Sequence, residues 1–306
     1  MVGKWEKVLW RKQAYPDNYI PRGIFLASLQ KNPNWRPYTY WPLVVLSCSI
    51  TQHLAVIFIF LAVFVRLKEQ TLDPRFLVCL SIVSFSVGYA IWHALDRRLS
   101  VSEPVTHRLS GPQAAQKGNT HVGFADLKAF RSAVMMFLAL MSLSPVLRTL
   151  TAATSSDSIW ALAAVLFSLN ALLSDYTVIR QDNAQEGLSS VLSTNAAVSA
   201  SVVLASRLSS DVSVFSLMLF SIQSFALFPF LRRRLQSLSI VVWLLISLGM
   251  GSLAVWLFAN LSSMVMWLIA SVLVFVTFVA PAILLWAQRF KNIIRGPWDV
   301  AVPKVN

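Results

Sequence analysis

The acidic side chains that could do chemistry in this sequence are few and stand far apart. Asp126 lies in a polar stretch, and Asp175 lies near the end of an apolar block, directly before Tyr176. A carboxylate in such a place could accept a proton from a substrate hydroxyl or hold a metal ion. Neither belongs to an Asp-x-Asp pair of the kind that holds a metal and a nucleotide diphosphate, and Glu69 and Asp73 share only a helical spacing. The acids therefore predict no catalytic or metal site.

Motifs for nucleotide, metal or acyl chemistry are also missing. The sequence contains no GxGxxG, GxxxxGK[ST], HExxH or GxSxG. The four histidines are scattered, and Cys48 and Cys79 lie in apolar blocks without a CxxC pair. We therefore predict no catalytic residue, no metal ligand and no bound cofactor, and we expect the histidines to be structural.

Polar residues inside apolar blocks predict hydrogen bonds between helices. Asn195 and Gln223 stand in two such blocks, and His53 follows Gln52 in a third. Amide and imidazole groups in a membrane span commonly bond to a neighbouring helix. We expect this packing role rather than ligand binding.

The residues that could contact a lipid headgroup or a partner lie at the ends of apolar blocks. Asp175 is expected to be a carboxylate at a helix end that reaches water, with a headgroup or partner contact as the alternative. Three arginines follow another block directly, where they would anchor it and attract anionic lipid, including phosphatidylinositol. The candidates for headgroup or partner contact are Asp175, Tyr176, Asn195, Arg232, Arg233 and Arg234.

Composition identifies the elements that must position these residues. The 306 residues are 56% hydrophobic and 13% charged, whereas a soluble domain carries about 25% charged residues. Charge is absent from long blocks and concentrated between them, which is typical of membrane spans. The first six predicted spans are residues 42–65, 76–95, 132–147, 158–179, 187–206 and 212–231.

The last apolar block, residues 235–288, is too long for one span. It contains no Asp, Glu, Lys or Arg, and as a single helix it would be about 80 Å long, against a hydrocarbon core of about 30 Å. We predict two helices with a break near Asn260, Ser262 and Ser263. Gly249 and Gly251 are expected inside the seventh helix as a close-packing surface. The predicted fold class is therefore an all-α polytopic membrane protein with about eight spans.

The distribution of basic residues predicts the orientation. With the N-terminus in the cytoplasm, all but five of the 26 Lys and Arg residues lie on the cytoplasmic side, as the positive-inside rule requires. Both termini are then cytoplasmic. The five exceptions are Arg66, Lys68, Arg75, Arg148 and Arg207.

The predicted organisation has three parts. Residues 1–41 form a cytoplasmic N-terminal segment with amphipathic stretches that lie at the membrane interface. Residues 42–288 form the eight-helix membrane domain, which includes a flexible cytoplasmic loop over 96–126 with several Pro and Gly residues. Residues 289–306 form a cytoplasmic tail. The opposite face has only short loops, so no substrate-handling domain is expected there.

Short polar motifs spread along nearly the whole chain carry a family resemblance. They are WEKVLW (5–10), YPDNY (15–19), DLK (126–128), SPVLRTLT (144–151), DY (175–176), LASRL (204–208), FALFP (225–229) and IRGPWD (294–299). With these motifs the chain resembles the PIG-C family, a membrane subunit of the phosphatidylinositol N-acetylglucosaminyltransferase complex. Residues 96–125 fit the resemblance least well.

The resemblance implies a function that the residues alone do not. Such complexes act in the endoplasmic reticulum membrane and transfer N-acetylglucosamine from UDP-N-acetylglucosamine to phosphatidylinositol on the cytoplasmic face, the first step of GPI-anchor biosynthesis. The sugar-nucleotide fold belongs to a separate, PIG-A-type subunit. The chain would then be a multi-pass, non-catalytic scaffold that could also present the acceptor lipid. Its implied partners are the other subunits, phosphatidylinositol and the membrane, with no nucleic acid.

Two other functions remain open from the sequence. The chain could itself be a polytopic glycosyltransferase, for which Asp126 and Asp175 are the available carboxylates. It could also be a lipid transporter or scramblase, for which the serine-rich fifth span would have to supply a polar stripe through the membrane. Small residues in a span more often serve close helix packing.

Overall fold

The computed structural model describes residues 12, 19, 38–102, 118–149, 154–176, 188–235 and 240–290. Of residues 96–102, 118–130 and 188–189 it describes the backbone only. Most of the predicted interfacial segment 1–41, the centre of the predicted loop 96–126 and nearly all of the predicted tail 289–306 therefore lie outside the described residues.

Eight helices and no strand are found in the described ranges. They are α1 (Tyr40–Lys68), α2 (Pro74–Ser102), α3 (Gly118–Thr149), α4 (Ser156–Leu173), α5 (Leu188–Ala205), α6 (Asp211–Leu235), α7 (Ile240–Ala259) and α8 (Ser263–Phe290). Each corresponds to one predicted apolar block, so the all-α polytopic fold is confirmed.

Seven of the eight helices are long and apolar enough to cross a membrane by length and composition. The remaining one is α5, whose apolar part is the shorter stretch Ser190–Ala205. The helix itself begins earlier, at Leu188, but of Leu188 and Ser189 only the backbone is described. The side of the membrane on which the termini lie remains a prediction.

Several predicted helix ends are wrong by a few residues. Helix α4 ends at Leu173 because Ser174 is extended, with φ −68° and ψ 137°, so Asp175 and Tyr176 follow the helix instead of lying inside it. Ser and Asp compete with helical hydrogen bonds through their own side chains, which favours a stop here.

The predicted loop 96–126 contains helical backbone at both of its ends. Helix α2 continues to Ser102 and α3 begins at Gly118. Charged residues mark where the hydrocarbon core ends, but they do not stop a helix whose backbone can go on bonding in water.

The predicted break in the last block is confirmed, since α7 ends at Ala259 and α8 begins at Ser263. Gly249 and Gly251 both lie inside α7. A Cβ atom on Gly251 would lie 3.9 Å from Leu273 Cδ1 of α8, whereas one on Gly249 would meet no described atom within 4 Å. The close-packing surface is therefore wrong for Gly249.

The chain divides into two compact units, residues 1–43 with 281–306 and residues 44–280. In the first, the backbone N–H of Tyr38 donates to Gln288 Oε1 at 2.9 Å. The features described below belong to the second unit.

Helix α1 is the central element of this second unit. In its apolar window 72% of residues are buried, against 11–39% for the other spans. One side of α1 packs through Phe60 and Phe64 on α4, α5 and α6, and Phe60 lies in contact with Phe167 and Phe225. The opposite side packs through small residues such as Ala55 on α7 and α8.

A π-helical segment, Gln223–Leu227, interrupts α6 and is separated from Pro229 only by Phe228. Proline has no N–H, and its ring clashes with the carbonyl four residues earlier in an α-helix. The helix widens instead, and the N–H of Phe228 bonds to the carbonyl of Gln223, five residues back. The segment therefore sets the direction in which the arginines after Pro229 point.

Candidate functional site

A network of buried polar side chains joins α1, α4 and α5 where α4 ends and α5 begins. His53 Nε2 lies 2.7 Å from Asn170 Oδ1, and Asn170 Nδ2 donates to the hydroxyl of Ser193 at 2.9 Å and to its carbonyl at 2.8 Å. The Ser193 hydroxyl donates back to the carbonyl of Asn170 at 2.8 Å. Because the Asn170 amide NH₂ is used on Ser193, its oxygen must accept, which assigns the proton of His53 to Nε2.

The segment after α4 is fixed to the same network. The Tyr176 hydroxyl donates to the carbonyl of Ala171 at 2.7 Å, and its ring lies edge-on to His53 with 5.7 Å between centroids. Ser174 Oγ lies 3.5 Å from His53 Nδ1. Burial raises the pKa of Tyr176, while the Ser174 hydrogen bond and the charge of Arg232 act in the opposite direction. The phenol thus stays protonated and donates.

Arg232 points into this region from α6. Its side chain is only 5% exposed, and its Nη1 donates to the carbonyl of Ser49 at 3.2 Å. Asp175 and Tyr176 lie close enough to interact with its charge. Its Nε has no hydrogen-bond partner among the described residues. Arg232 is therefore a structural cation held between α1 and the end of α4.

A small cavity adjoins Arg232 and is lined by His53, Val56, Ser224, Phe225, Phe228, Pro229 and Arg232. Its volume is about 10 Å³. That is the room one water molecule needs, and it excludes a lipid headgroup.

The three consecutive arginines have three different environments. Arg232 is buried, Arg233 lines an open groove towards α5, and the guanidinium of Arg234 lies 5.9 Å from the ring centroid of Trp92 on α2. Successive residues of a helix point about 100° apart, so one basic run serves three surfaces. A stop-transfer role alone does not account for the inward direction of Arg232.

The α5–α6 groove has a volume of about 190 Å³ and is lined by Ser190, Val191, Thr194, Asn195, Ala226, Pro229, Phe230 and Arg233. Asn195 is exposed here, so the predicted helix–helix hydrogen bond is wrong for this residue. Gln223, for which the same kind of bond was predicted, does bond across helices, to the hydroxyl of Ser84 on α2.

Comparison with known proteins decides the family. The family model GPI2, described as phosphatidylinositol N-acetylglucosaminyltransferase, matches residues 5–299. The chain belongs to the GPI2 family. The predicted family is thereby confirmed.

Named relatives of this GPI2-family chain come from distant organisms. The GPI2 subunit of Schizosaccharomyces pombe phosphatidylinositol N-acetylglucosaminyltransferase is 37% identical over 98% of this chain and 87% of its own length. A human protein named as a subunit of the same enzyme is 33% identical over 97% of this chain and 92% of its own length. A Dictyostelium discoideum protein, named as a putative subunit of the enzyme, is 32% identical over 97% and 79%. No solved structure matches the chain.

The candidate residues of this GPI2-family protein thus separate into two places. Tyr176 and Arg232 come together at the buried network, Asp175 is exposed beside them, and Asn195 and Arg233 share the groove. Arg234 belongs to neither place.

The sequence interpretation missed the three polar residues that tie the network together, Asn170, Ser174 and Ser193. An amide inside the apolar block of α4 was the available signal, because such a group needs a partner from another helix. The predicted bonding of Gln52 and His53 is confirmed: Gln52 Nε2 donates to Ser247 Oγ of α7 at 2.6 Å.

Within the part of the chain that the structure describes, no three His, Cys, Asp or Glu side chains are grouped as metal ligands. Asp73 instead accepts a hydrogen bond from the N–H of Arg75 at 2.9 Å, at the start of α2. Cys48 is buried, Cys79 is exposed, and neither forms a disulfide.

Proposed function

We propose that this chain is a non-catalytic subunit of an endoplasmic reticulum membrane complex that transfers N-acetylglucosamine from UDP-N-acetylglucosamine to phosphatidylinositol, the first step of GPI-anchor biosynthesis. Its relatives are named as subunits of phosphatidylinositol N-acetylglucosaminyltransferase. The supporting observation is that the buried polar groups bond to one another and hold helices together. His53, Asn170 and Ser193 bond to one another across three helices, and the second ring nitrogen of His53 faces the hydroxyl of Ser174 at 3.5 Å.

The sugar nucleotide would be handled by a PIG-A-type catalytic subunit. The helical bundle described above contains no strand, whereas nucleotide-binding domains of the doubly wound type are built on a parallel sheet. The partners of this chain are then the other subunits and the membrane, and nucleic acid is not among them.

The orientation with both termini in the cytoplasm is supported by the basic residues at the opposite ends of the helices. Arg66 Nη2 donates to the carbonyl of Leu257 at 2.8 Å, Arg207 donates to the carbonyl of Thr154, and Lys68 lies 5.6 Å from the ring centroid of Trp160. Arg148 pairs with Asp211 at 3.0 Å. These four of the five exceptions to the positive-inside pattern contact neighbouring segments, which gives each a structural reason for its position.

The transporter alternative requires a polar stripe on α5, and the serines argue against it. Ser201 is buried and donates to the carbonyl of Ala197, while Ser221 of α6 donates to the Ser201 hydroxyl at 2.6 Å. Ser193 is equally buried and is used by Asn170. The small residues of α5 serve close packing against its neighbours.

Reconstitution tests the proposal. The purified chain, placed in vesicles with phosphatidylinositol and given UDP-N-acetylglucosamine, should form no product, and adding the other subunits should restore transfer. Omission of this chain from the complete set should abolish transfer. Product formed by the chain alone would establish it as the glycosyltransferase and overturn the proposal.

A further inference from the structure

We propose that the α5–α6 groove binds the headgroup of an inositol phospholipid, with the phosphate at Arg233. The identity of this lipid as the acceptor rests on the proposed function, whereas the groove itself does not. The groove is separate from the buried network around His53, which is filled by its own contacts.

The charge of the groove selects an anion. Arg233 is half-buried, and among the described residues the eight that line the groove include no acidic one. A guanidinium presents a planar set of N–H donors that matches two oxygens of a phosphate. The neighbouring Arg232 is directed to Ser49 on the inside of the protein, so Arg233 is the arginine of this run that faces α5.

The polar side chains of Thr194 and Asn195 on α5, across the groove from Arg233, are suited to bind a polyol. The exposed amide of Asn195 can both donate to and accept from hydroxyl groups. Thr194 donates its proton to the carbonyl of Ser190 at 3.1 Å, which leaves the lone pairs of its oxygen as acceptors. A ring that carries several hydroxyls can use these groups together, whereas a choline headgroup has no donor to offer them.

The remaining residues that line the groove are apolar and suit the part of the headgroup that lies nearest the acyl chains. Val191, Ala226, Pro229 and Phe230 form this part, and Phe230 is 52% exposed. A volume of about 190 Å³ holds a headgroup but not acyl chains, which would lie along the outer surface of α6 in the bilayer. Leu227, which is exposed on that surface, would contact them.

The test is photolabelling of the full-length chain in phosphatidylcholine nanodiscs with a photoactivatable phosphatidylinositol. The label should map to peptides of α5 and α6. Arg233→Gln should reduce labelling by roughly tenfold, the scale of a charge-assisted hydrogen bond, and Asn195→Leu should reduce it as well. Arg234→Gln is the matched control, because it removes the same charge from the adjacent residue, which lies over Trp92.

Competition distinguishes the sources of the ligand. Unlabelled phosphatidylinositol should displace the label, whereas phosphatidylserine, phosphatidylcholine and inorganic phosphate should not. Equal loss of labelling in the Arg233 and Arg234 variants would mean general surface attraction and overturn the site. Displacement by phosphatidylserine or by inorganic phosphate as effective as by phosphatidylinositol would also overturn it.

Failure of the site and failure of the proposed function give different results. If the chain proves dispensable for transfer by the complex but still loses labelling in Arg233→Gln, the function is wrong and the site stands. If transfer requires the chain but Arg233→Gln leaves photolabelling unchanged, the site is wrong and the function stands.

Discussion

Asn170 is the residue on which the buried network depends. It bonds to His53 of α1 through its oxygen and to Ser193 of α5 through its nitrogen, so one amide joins three helices. The sequence analysis did not single it out, and the sequence does not tell which helices lie beside α4. That His53 and Ser193 are its partners follows from the packing of the helices and cannot be read from the sequence.

Replacing Asn170 with Leu should destabilise the protein. His53 and Ser193 would each lose a buried partner, at a cost of about 1–3 kcal/mol for each unsatisfied group. Thermal unfolding in detergent, followed by fluorescence, should show a midpoint several degrees lower. The control is Asn260→Leu, an exposed amide in the turn between α7 and α8, which should shift the midpoint little. Equal midpoints for the two variants would contradict the network.

Arg232 and Arg234 should respond very differently to the same substitution. Arg232→Gln removes a buried guanidinium that lies near the exposed Asp175 and bonds to the carbonyl of Ser49, and a lost hydrogen bond of a charged group costs about 1.5–3 kcal/mol. We expect a strongly reduced yield of monodisperse protein. Arg234→Gln should keep a normal yield, and similar yields for both variants would show that Arg232 has no structural role.

At the scale of elements, α6 shows how one proline changes a helix. Pro229 favours the π-segment Gln223–Leu227, and this segment in turn aims Arg232 inwards and Arg233 at the groove. The apolar block and its basic end predict a helix at this position, and the observed helix Asp211–Leu235 agrees. The extra residue of the π-segment cannot be located from hydropathy, so the directions of the arginines could not be predicted.

Pro229→Ala should let α6 return to a regular helix, which rotates the residues that follow by about 100°. Leu231 would then leave its place beside Gly88 of α2, where a Cβ atom would lie 3.7 Å from Leu231 Cδ2. A Gly88→Cys/Leu231→Cys pair, in a chain without Cys48 and Cys79, should be joined by a short bifunctional thiol reagent and should lose this cross-link when Pro229→Ala is added.

A second cysteine pair on the near side of the π-segment provides the control. Ser84 is in hydrogen-bond contact with Gln223, the first residue of the π-segment, so Ser84→Cys/Gln223→Cys should be joined by the same reagent with or without Pro229→Ala. If both pairs respond alike, the effect is general unfolding and not a rotation of the end of α6.

At the scale of the whole molecule, the second unit, residues 44–280, is a bundle packed around α1. Most of its other helices expose apolar surface. Counting apolar blocks was sufficient to predict the helices and the break before Ser263, because the hydrocarbon thickness limits the length of each span. The central place of α1 was not predictable, since all blocks are comparably apolar and burial depends on which surfaces meet.

The predicted topology places both termini on the cytoplasmic face. Epitope tags at either terminus should be digested by protease added to sealed microsomes, and a tag inserted between Lys68 and Pro74 should be digested only after the membrane is permeabilised. Protection of one terminus and not the other would contradict an even number of spans.

The most direct test of the account is the dependence of transfer by the complete complex on its two substrates. If this chain presents the acceptor lipid while another subunit handles the sugar nucleotide, Arg233→Gln should raise the phosphatidylinositol concentration needed for half-maximal rate and leave that for UDP-N-acetylglucosamine unchanged. Arg234→Gln should alter neither. A change in the UDP-N-acetylglucosamine dependence with Arg233→Gln, at an unchanged phosphatidylinositol dependence, would contradict the account.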